Sequence, residues 1–555
     1  MGKQRKKFEI LILVILFSTI VVTLTYLVTR IVLYIKAEHY WYENFFAMLL
    51  LLAETFIIIH GFGYLAEVVQ VVMKYKSFVD KRPEDIKLEN YPYVAVVVPS
   101  YKEPIDLLRN TLICTFNLKY KNKEIFLLDD TRYDQFKNDE EKQNLLDYKL
   151  QVENLCKEIG INLFRRKWRG AKAGIINDFL DFIKNRKKEG TNCIFNKEVD
   201  VSLLKYLCVF DADQNPMIDF LDHLMPLMET NDKLAFIQTP QYYTNFEENR
   251  VARAAGLQQV IFYEYICIGK SEKNAMFCCG TNVVFRIDAL LDVGGFDETS
   301  VTEDFATSIK FHLNGWKSMY YSRVLAFGLG PEDLGNYFKQ QYRWALGTIG
   351  VFKTVLFKLL TSPSKMKLKM WWEYLLSTTH YFIGAFYFVL IIMPIIYLFF
   401  RIPIYFASPI IYGIVFLPYI IITLVSFFWT LRQRHYTTKD IFLGQFLMMI
   451  TFPVYIKAAF HALINKKSKF EVTSKDVSAH SLPIKDLWVQ FTMIILLFSS
   501  IIWGLNRVYF ERILIIPILV NAFWCAYNVF ILSKIFYFNN PIEKKKDNEL
   551  PKEAE

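Results

Sequence analysis

Metal-binding and redox patterns of cysteine are missing from this 555-residue chain. None of the eight cysteines lies in a Cys-x-x-Cys pair or in a Cys/His spacing suited to zinc. Seven of the eight fall in the part of the chain that reads as a water-soluble domain, which favours reduced thiols. The chain also has no internal repeat and no low-complexity segment. We therefore expect a reduced, cytosolic domain without a zinc site.

The placement of charge argues against a nucleic-acid partner. The chain is 53% hydrophobic and 17% aromatic, which is too apolar for an ordinary soluble chain, yet 22% of its residues are charged. The net charge is +10, but the basic residues collect at the ends of apolar runs. That placement is the positive-inside pattern of membrane proteins. The basic groups are residues 3–7, 432–434, 466–469 and 544–546.

Long apolar runs are present, and six of them are long enough to cross a bilayer as helices. They cover residues 8–35, 45–73, 372–400, 410–431, 487–505 and 513–536. The first run is too long for a signal peptide and lacks a small-residue cleavage site. The chain is therefore predicted to be part membrane protein and part water-soluble domain.

A seventh run, 441–464, is ambiguous because it contains Pro453, Lys457 and His461, and polar groups in lipid are costly. If it crossed the membrane, the basic segment 466–475 would lie outside, whereas an interfacial or re-entrant helix leaves that segment in the cytosol. We therefore predict six spans. The predicted division is two N-terminal spans in 1–75, a cytosolic domain in 90–355, two spans and an interfacial helix in 356–465, a cytosolic loop in 466–482, two spans in 483–538 and a charged cytosolic tail in 539–555.

The segment 90–355 alternates short apolar strands with amphipathic helices, which predicts a mostly parallel sheet covered on both faces. The predicted strands are 94–98, 124–128, 206–210 and 234–237, and 185–201 reads as a polar surface loop. Ligands of such sheets bind beyond the carboxyl ends of the strands. Asp129 and Asp130 end the second predicted strand, and Asp211 and Asp213 lie at the end of the third.

The Asp211-Ala212-Asp213 triplet is a candidate site for a divalent cation. Two carboxylates one residue apart at a strand end can bind a hard cation and so neutralise a nucleotide diphosphate. An Asp-x-Asp triplet is, however, expected about once by chance in a chain of this length. The alternative is a solvated turn in which an Asp caps the next helix.

Thr302-Glu303-Asp304 precedes the apolar-periodic run 305–313, so it also has two interpretations. The simpler one is the N-terminal cap of a helix. In a cleft, a carboxylate at a helix start can instead take the proton of an attacking sugar hydroxyl, which is general base catalysis. Spacing alone does not distinguish Glu303 from Asp304 in that role.

Gln340-Gln341-Tyr342-Arg343-Trp344 lies in the amphipathic stretch 334–356, just before an apolar run. An interfacial helix with Arg and Trp at headgroup level is one interpretation. In the functional interpretation, Arg343 binds the departing phosphates and the ring of Trp344 stacks on a sugar. A carboxylate-rich domain held against a bilayer suits an enzyme that uses a charged, soluble donor and passes its product to the membrane.

With these motifs the chain resembles the membrane-integrated, processive family 2 glycosyltransferases of the cellulose synthase type over residues 93–482. Further matches are PSYKEP at 99–104, AKAG at 171–174, QTP at 238–240, FCCG at 277–280 and FEVTSK at 470–475, the last similar to the FxVTxK gating loop of that family. Two departures are the second Gln of the Gln-x-x-Arg-Trp motif, where the family usually has Arg, and Thr131, where Gly commonly follows the Asp pair.

The resemblance implies an α/β domain of the GT-A type between membrane helices, a UDP-sugar donor, Mg²⁺ or Mn²⁺, and inversion at the anomeric carbon. It gives the role of general base to Asp304, with Glu303 beside it. The other implied sites are Ser100, Tyr101, Glu103, Asp129, Asp130, Lys172, Asp211, Arg343, Thr473 and Lys475 for the donor, Cys279, Gly280, Gln340 and Trp344 for the acceptor, and Asp211 and Asp213 for the metal.

Implied partners are the growing polysaccharide and the lipid bilayer, and an accessory secretion subunit is compatible with the resemblance. The implied location is the plasma membrane, with the catalytic domain in the cytosol. Only a short charged tail follows the last apolar run, so a cyclic-di-GMP-binding PilZ domain is not expected. Aromatic residues near the spans are expected either to line a polymer channel or to form interface belts. They include Trp371, Trp372, Tyr374 and Tyr381.

UDP-glucose is the predicted donor, because the FxVTxK-like loop favours a glucan product. The alternatives are a chitin- or hyaluronan-type synthase that uses UDP-N-acetylglucosamine and a non-processive enzyme that puts one sugar on a lipid. A membrane transporter with a degenerate transferase domain is the non-enzymatic alternative, and retention of all the acidic motifs argues against it.

Overall fold

The computed structural model describes residues 2–79, 86, 88, 90–169, 171–186, 189–196, 198–405, 408–432, 436–466, 480–511 and 515–540. Two long helices, α1 (Gly2–Lys36) and α2 (Trp41–Val79), precede an α/β domain. The predicted runs 8–35 and 45–73 lie within these two helices. A helix satisfies the backbone hydrogen bonds of an apolar sequence internally, which is what a bilayer requires.

The α/β domain is built on an eight-stranded sheet with the order β10-β7-β9-β5-β1-β2-β3-β4. The strands of the domain are β1 (Tyr93–Ser100), β2 (Lys123–Asp129), β3 (Asn162–Arg165), β4 (Asn192–Ile194), β5 (Leu204–Val209), β6 (Gln214–Pro216), β7 (Leu234–Gln238), β8 (Tyr242–Tyr243), β9 (Val283–Arg286), β10 (Lys317–Tyr320) and β11 (Ala326–Gly328). Its helices are α3 (Ile105–Phe116), α4 (Asp139–Ile159), α5 (Lys172–Ile183), α6 (Phe220–Glu229), α7 (Arg250–Ile261), α8 (Cys267–Glu272), α9 (Ile287–Asp292) and α10 (Glu303–Leu313).

The four predicted strands are confirmed, and the sheet is more mixed than predicted. Neighbouring strands pair in parallel in four cases and antiparallel in three, because β9 runs against both β5 and β7 and the edge strand β4 runs against β3. The predicted surface loop 185–201 contains the edge strand β4, so that part of the prediction is wrong.

The continuous apolar run of β1 follows from burial on both faces. Val94, Val96 and Val98 pack into one core and Ala95 and Val97 into the other.

The chain returns to long helices after the domain. They are α11 (Leu334–Thr361), α12 (Leu368–Thr379), α13 (Ile383–Phe400), α14 (Pro409–Arg432), α15 (Thr438–Ile450), α16 (Phe452–Leu463), α17 (Trp488–Phe510), α18 (Ile515–Leu532) and the short α19 (Lys534–Phe538). Among the described residues, seven helical segments are long and apolar enough to cross a membrane, and α11 is one of them. Helices α15 and α16, which cover the ambiguous run 441–464, meet at an angle of 46°. The six-span topology stays a prediction.

A buried group of four charges, the Glu67 tetrad (Glu67, Lys270, Lys273 and Glu373), joins the domain to the membrane helices. The Lys273 Nζ lies 2.6 Å from the Oε1 atoms of Glu67 on α2 and of Glu373 on α12. The Lys270 Nζ lies 2.8 Å from Glu373 Oε2. Two ammonium groups thus balance two carboxylates where desolvation would otherwise be costly. The tetrad fixes α8, just before the FCCG segment, against α2 and α12.

Candidate active site

The carboxyl ends of β1, β2 and β5 bring the predicted donor residues to one edge of the sheet. Ser100 pairs in register with Asp129, and the backbone N–H of Asp130 donates to the Ser100 carbonyl at 2.9 Å. Asp211 follows β5 after one residue, and its N–H donates to Thr281 Oγ1 at 2.8 Å. The predicted position of these acidic residues at the strand ends is confirmed.

Asp129 and Asp130 are buried and already engaged by two arginines. Arg165 donates from Nε to Asp129 at 2.8 Å, and Tyr133 donates its hydroxyl to the same carboxylate at 2.7 Å. Arg166 makes a bidentate contact with Asp130 at 3.0 and 3.2 Å. Burial raises the pKa of Asp130 to about 7, although the Arg166 guanidinium lowers it. These two carboxylates are therefore part of a buried hydrogen-bonded network.

An aromatic and cationic stack lies beside this pair. The guanidinium of Arg132 lies 3.4 Å above the ring of Trp168 and 5.6 Å from that of Tyr101. The Arg132 Nε is buried and has no hydrogen-bond partner among the described residues. A planar base or a ribose hydroxyl suits such flat, donor-rich surroundings. Glu103 is also buried here, and its carbonyl accepts from the hydroxyl of Tyr148 at 2.8 Å.

Lys172, the first residue of α5, connects the predicted metal and acceptor residues. Its Nζ donates to the Asp211 carboxylate and, at 2.7 Å, to the Gly280 carbonyl. Burial lowers the pKa of Lys172, but the carboxylates of Asp211, Glu303 and Asp304 outweigh it and raise the pKa above its ordinary value. The ammonium charge is therefore retained at neutral pH.

The residues at this edge fit a hard divalent cation. Asp211 and Asp213 supply carboxylate oxygens one residue apart, and the Asp211 side chain is 39% exposed. Mg²⁺ characteristically binds through one or two carboxylates and completes its coordination with phosphate oxygens and water. The pair thus suits a cation shared with a diphosphate.

Asp304 lies against the FCCG segment at the start of α10. Gly280 has a φ of +90°, and a Cβ atom there would lie 2.8 Å from Asp304 Oδ2. The other carboxylate oxygen of Asp304 accepts from the N–H of Phe305 at 2.7 Å. Burial raises the pKa of both Glu303 and Asp304, and the positive charges of Lys172 and Arg343 limit the rise. A buried carboxylate of raised pKa, close to cations, suits a general base.

Thr302 occupies the N-cap position of α10 but makes no side-chain capping bond there. Its side chain instead packs against α11, where a Cβ atom at Gly347 would lie 2.4 Å from Thr302 Cγ2. This contact places the Thr302-Glu303-Asp304 motif directly on the helix that carries Gln340, Arg343 and Trp344. The two motifs therefore form one unit.

A cavity of about 1490 Å³ starts at this unit and continues between the membrane helices. Asp304, Cys279, Gln340 and Trp344 line its inner end. The Gln340 Oε1 is buried without a hydrogen-bond partner among the described residues, so it can accept from a ligand hydroxyl. The predicted acceptor residues are thereby brought together, with Gly280 behind Asp304.

The far end of the cavity is rich in aromatic rings. Tyr26 of α1 stacks on Tyr419 of α14 with ring centres 4.5 Å apart. Arg30 donates to Glu54 at 2.8 Å and places its guanidinium 3.9 Å above the ring of Tyr405. Stacked rings and polar edges are surfaces on which sugar faces slide without fixed hydrogen bonds.

The aromatic residues singled out from the sequence divide into two groups. Tyr381 lines the cavity. Trp371 and Tyr374 are buried in a core that packs against α10, and Trp372 is 42% exposed away from the lining. Only Tyr381 therefore has the position that a channel residue requires.

Some residues that support the candidate site carry no clear signal in the sequence. Arg165 and Arg166 were missed because β3 has only four residues, too few for a periodic signal. Gln238, whose Oε1 accepts from the N–H of Cys279 at 2.8 Å, holds the FCCG segment in place. Thr473 and Lys475 lie outside the described residues.

Comparison with known proteins gives two overlapping family matches. Residues 95–294 match glycosyl transferase family 2, and residues 206–429 match glycosyl transferase family group 2. Together these matches run from β1 into α14. The α/β fold class with flanking apolar helices is confirmed.

Curated relatives extend the similarity to most of the chain. A cellulose synthase catalytic subunit [UDP-forming] from Pseudomonas fluorescens is 27% identical over 95% of this chain and 66% of its own length. One from Dictyostelium discoideum is 32% identical over 45% of this chain and 23% of its own length. The chain thus spans no more than about two thirds of these relatives. A mannosyltransferase from Pyrobaculum calidifontis, solved with GDP-Man and Mn²⁺, is 14% identical over 76% of this chain and all of its own, with a TM-score of 0.44.

Proposed function

Because the chain contains a family 2 glycosyltransferase domain and is homologous over most of its length to cellulose synthase catalytic subunits, we propose that it polymerises a β-glucan. The donor is UDP-glucose, each transfer inverts the anomeric carbon, and the product leaves through the membrane helices. The chain is a membrane protein. We place it in the plasma membrane with its α/β domain in the cytosol, where nucleotide sugars are made.

The observation that carries this proposal is the position of Asp304 at the inner end of the cavity. Asp304 and Trp344 line the same continuous space as Tyr381 of the membrane region and Tyr405 at the far end. A polymer that grows by one sugar per cycle must move away from the base by one unit each time. A cavity that begins at the base and runs between apolar helices supplies that path.

The chemistry of transfer follows from the charges around Asp304. Its carboxylate takes the proton of the acceptor hydroxyl while that oxygen bonds to the anomeric carbon on the face opposite the diphosphate. The bond from that carbon to the diphosphate oxygen breaks, and UDP leaves with the electron pair. Lys172 and Arg343 place positive charge beside the departing phosphates. A divalent cation held by Asp211 and Asp213 would neutralise the diphosphate, and Mg²⁺ and Mn²⁺ both suit these oxygen ligands.

The test is sugar incorporation by the purified full chain in lipid vesicles. UDP-glucose and UDP-N-acetylglucosamine are compared at fixed Mg²⁺, and large products are digested with linkage-specific glycanases. We expect a long polymer from UDP-glucose and loss of all transfer in Asp304→Asn, with unchanged thermal unfolding as the folding control.

Other outcomes would replace the proposal or add a partner to it. Polymer from UDP-N-acetylglucosamine alone would make the chain a chitin- or hyaluronan-type synthase. A labelled lipid in place of polymer would indicate single-sugar transfer. Polymer that forms only after an accessory secretion subunit is added would assign that partner, and no turnover of either donor would favour the transporter.

A further inference from the structure

Lys172 lies between the candidate metal site and the FCCG segment, residues 277–280. Its ammonium donates to the Asp211 carboxylate and to the Gly280 carbonyl, with 2.7 Å between Lys172 Nζ and Gly280 O. The Lys172 side chain is only 18% exposed. Asp211 is also one of the two carboxylates that fit a divalent cation. An ammonium and a divalent cation on one carboxylate repel each other strongly at such short range.

We propose that Lys172 and the divalent cation compete for Asp211, so that binding of the cation releases Lys172 from Asp211 and from the Gly280 carbonyl. The inference rests on the proposed function only in placing the cation at Asp211 and Asp213. It adds a role for Lys172 before any sugar is transferred. The Lys172 ammonium stays paired with the Asp211 carboxylate until the cation binds. After its release it can pair with the phosphates of the donor.

The exchange also affects the candidate base, because Gly280 lies beside Asp304. The backbone of Gly280 is held on one side by Lys172 and on the other lies against Asp304, with 2.8 Å between a Cβ built at Gly280 and Asp304 Oδ2. Release of the Gly280 carbonyl removes one of the contacts that fix this segment. Loading of the cation and the position of the base are thereby coupled through a single lysine, which acts as a positioning residue.

The first experiment measures Mn²⁺ binding by electron paramagnetic resonance, with the purified full chain in detergent and no nucleotide. Lys172→Gln should bind Mn²⁺ about tenfold more tightly than the wild type, the scale set by losing one charge-assisted hydrogen bond. Lys172→Arg keeps the charge and should stay close to the wild type. Lys205→Gln is the matched control, because Lys205 pairs with Glu229 outside the site.

A second experiment uses the wild-type chain and so does not depend on a variant that folds. Amine acetylation is followed by peptide mass spectrometry with and without saturating Mn²⁺. We expect Mn²⁺ to increase acetylation of Lys172 several-fold and to leave Lys205 unchanged. Equal acetylation of Lys172 in both conditions, or equal Mn²⁺ affinity of wild type and Lys172→Gln, would overturn the competition and leave the proposed transferase intact. Failure of every variant to bind Mn²⁺ would overturn the cation site as well.

Discussion

Gly280 and Asp304 are so close that a single methyl group added to Gly280 would lie 2.8 Å from a carboxylate oxygen of Asp304. The positive φ of Gly280, +90°, independently favours glycine. The FCCG segment thus packs so closely against the candidate base Asp304 that there is no room for a side chain at Gly280.

Gly280→Ala is therefore expected to abolish sugar transfer, because Asp304 or the FCCG segment must move. Gly294→Ala is the matched control, since Gly294 also has a positive φ, +79°, but open space around its Cβ position. Both changes should cost about 1 kcal/mol of unfolding free energy through backbone strain. The comparison is transfer rate against thermal stability in detergent. Equal activity of the two variants would contradict the contact.

Gly347→Ala should separate the Thr302-Glu303-Asp304 motif from helix α11. The new Cβ would lie 2.4 Å from Thr302 Cγ2, whereas Gly350 on the same helix has nothing within 4 Å of its Cβ position. We expect Gly347→Ala to reduce kcat at least about tenfold, which corresponds to about 1.4 kcal/mol of transition-state stabilisation. Gly350→Ala should keep wild-type kcat and unfold at the same or a slightly higher temperature. A Gly347→Ala enzyme with normal kcat would show that the two motifs act separately.

As the pH falls, sugar transfer should be lost at a higher pH than it would be if the base had the pKa of an ordinary aspartate. Burial raises the pKa of Asp304, and a general base must be deprotonated, so kcat/KM falls as the pH drops through that raised pKa. The ammonium of Lys172 lowers the same pKa. Lys172→Gln should consequently move the acid limb of the pH profile of kcat/KM to higher pH, whatever its effect on the maximum rate. Lys205→Gln should leave the limb in place, and an unmoved limb in Lys172→Gln would argue against Asp304 as the base.

Arg166→Met should destabilise the domain strongly. The guanidinium pairs with Asp130 at 3.0 Å and with Asp178 at 2.9 Å, and all three side chains are buried. Arg169 also pairs with Asp178, so Asp130 is the carboxylate that loses its partner. Breaking a buried ion pair by removing one partner typically costs about 3–5 kcal/mol. Arg109→Met, which breaks an exposed pair with Glu158, is expected to have little effect. Thermal unfolding in detergent measures both. A small change in Arg166→Met would mean that Asp130 is neutral in the folded chain.

Gly61→Trp should shorten the product without stopping the first transfer. Gly61 lines the cavity within the membrane region, and its Cβ position has open space around it, so an indole there would fill the polymer path. Gly413→Trp on α14 is the control, because it also enters open space but lies outside the lining. Product length by gel filtration and UDP release are the two measurements. Full-length polymer from Gly61→Trp would place the path elsewhere.

The sequence predicts the local parts of this architecture and little of how they meet. Asp129 and Asp211 were placed correctly because each lies at the end of an apolar strand, or just after it, and such ends can be recognised. Thr302 and Gly347 are 45 residues apart in the sequence, and their contact depends on how two helices pack. A short sequence motif does not predict that packing. The cavity walls contributed by α1 and α2 were unpredictable for the same reason. The apolar runs of α1 and α2 predict that these segments are helical, but they do not predict which other helices they pack against.

The Glu67 tetrad has a consequence for how the chain is made. Glu67 lies on the second helix, and its partner Lys273 follows 206 residues later. At about 5–20 residues per second, those residues take roughly 10–40 s to synthesise. The ribosome therefore delivers Glu67 to the bilayer well before the lysine that balances it. Membrane insertion of α2 and docking of the completed domain are separate events in biogenesis, and the second waits for the sheet to fold.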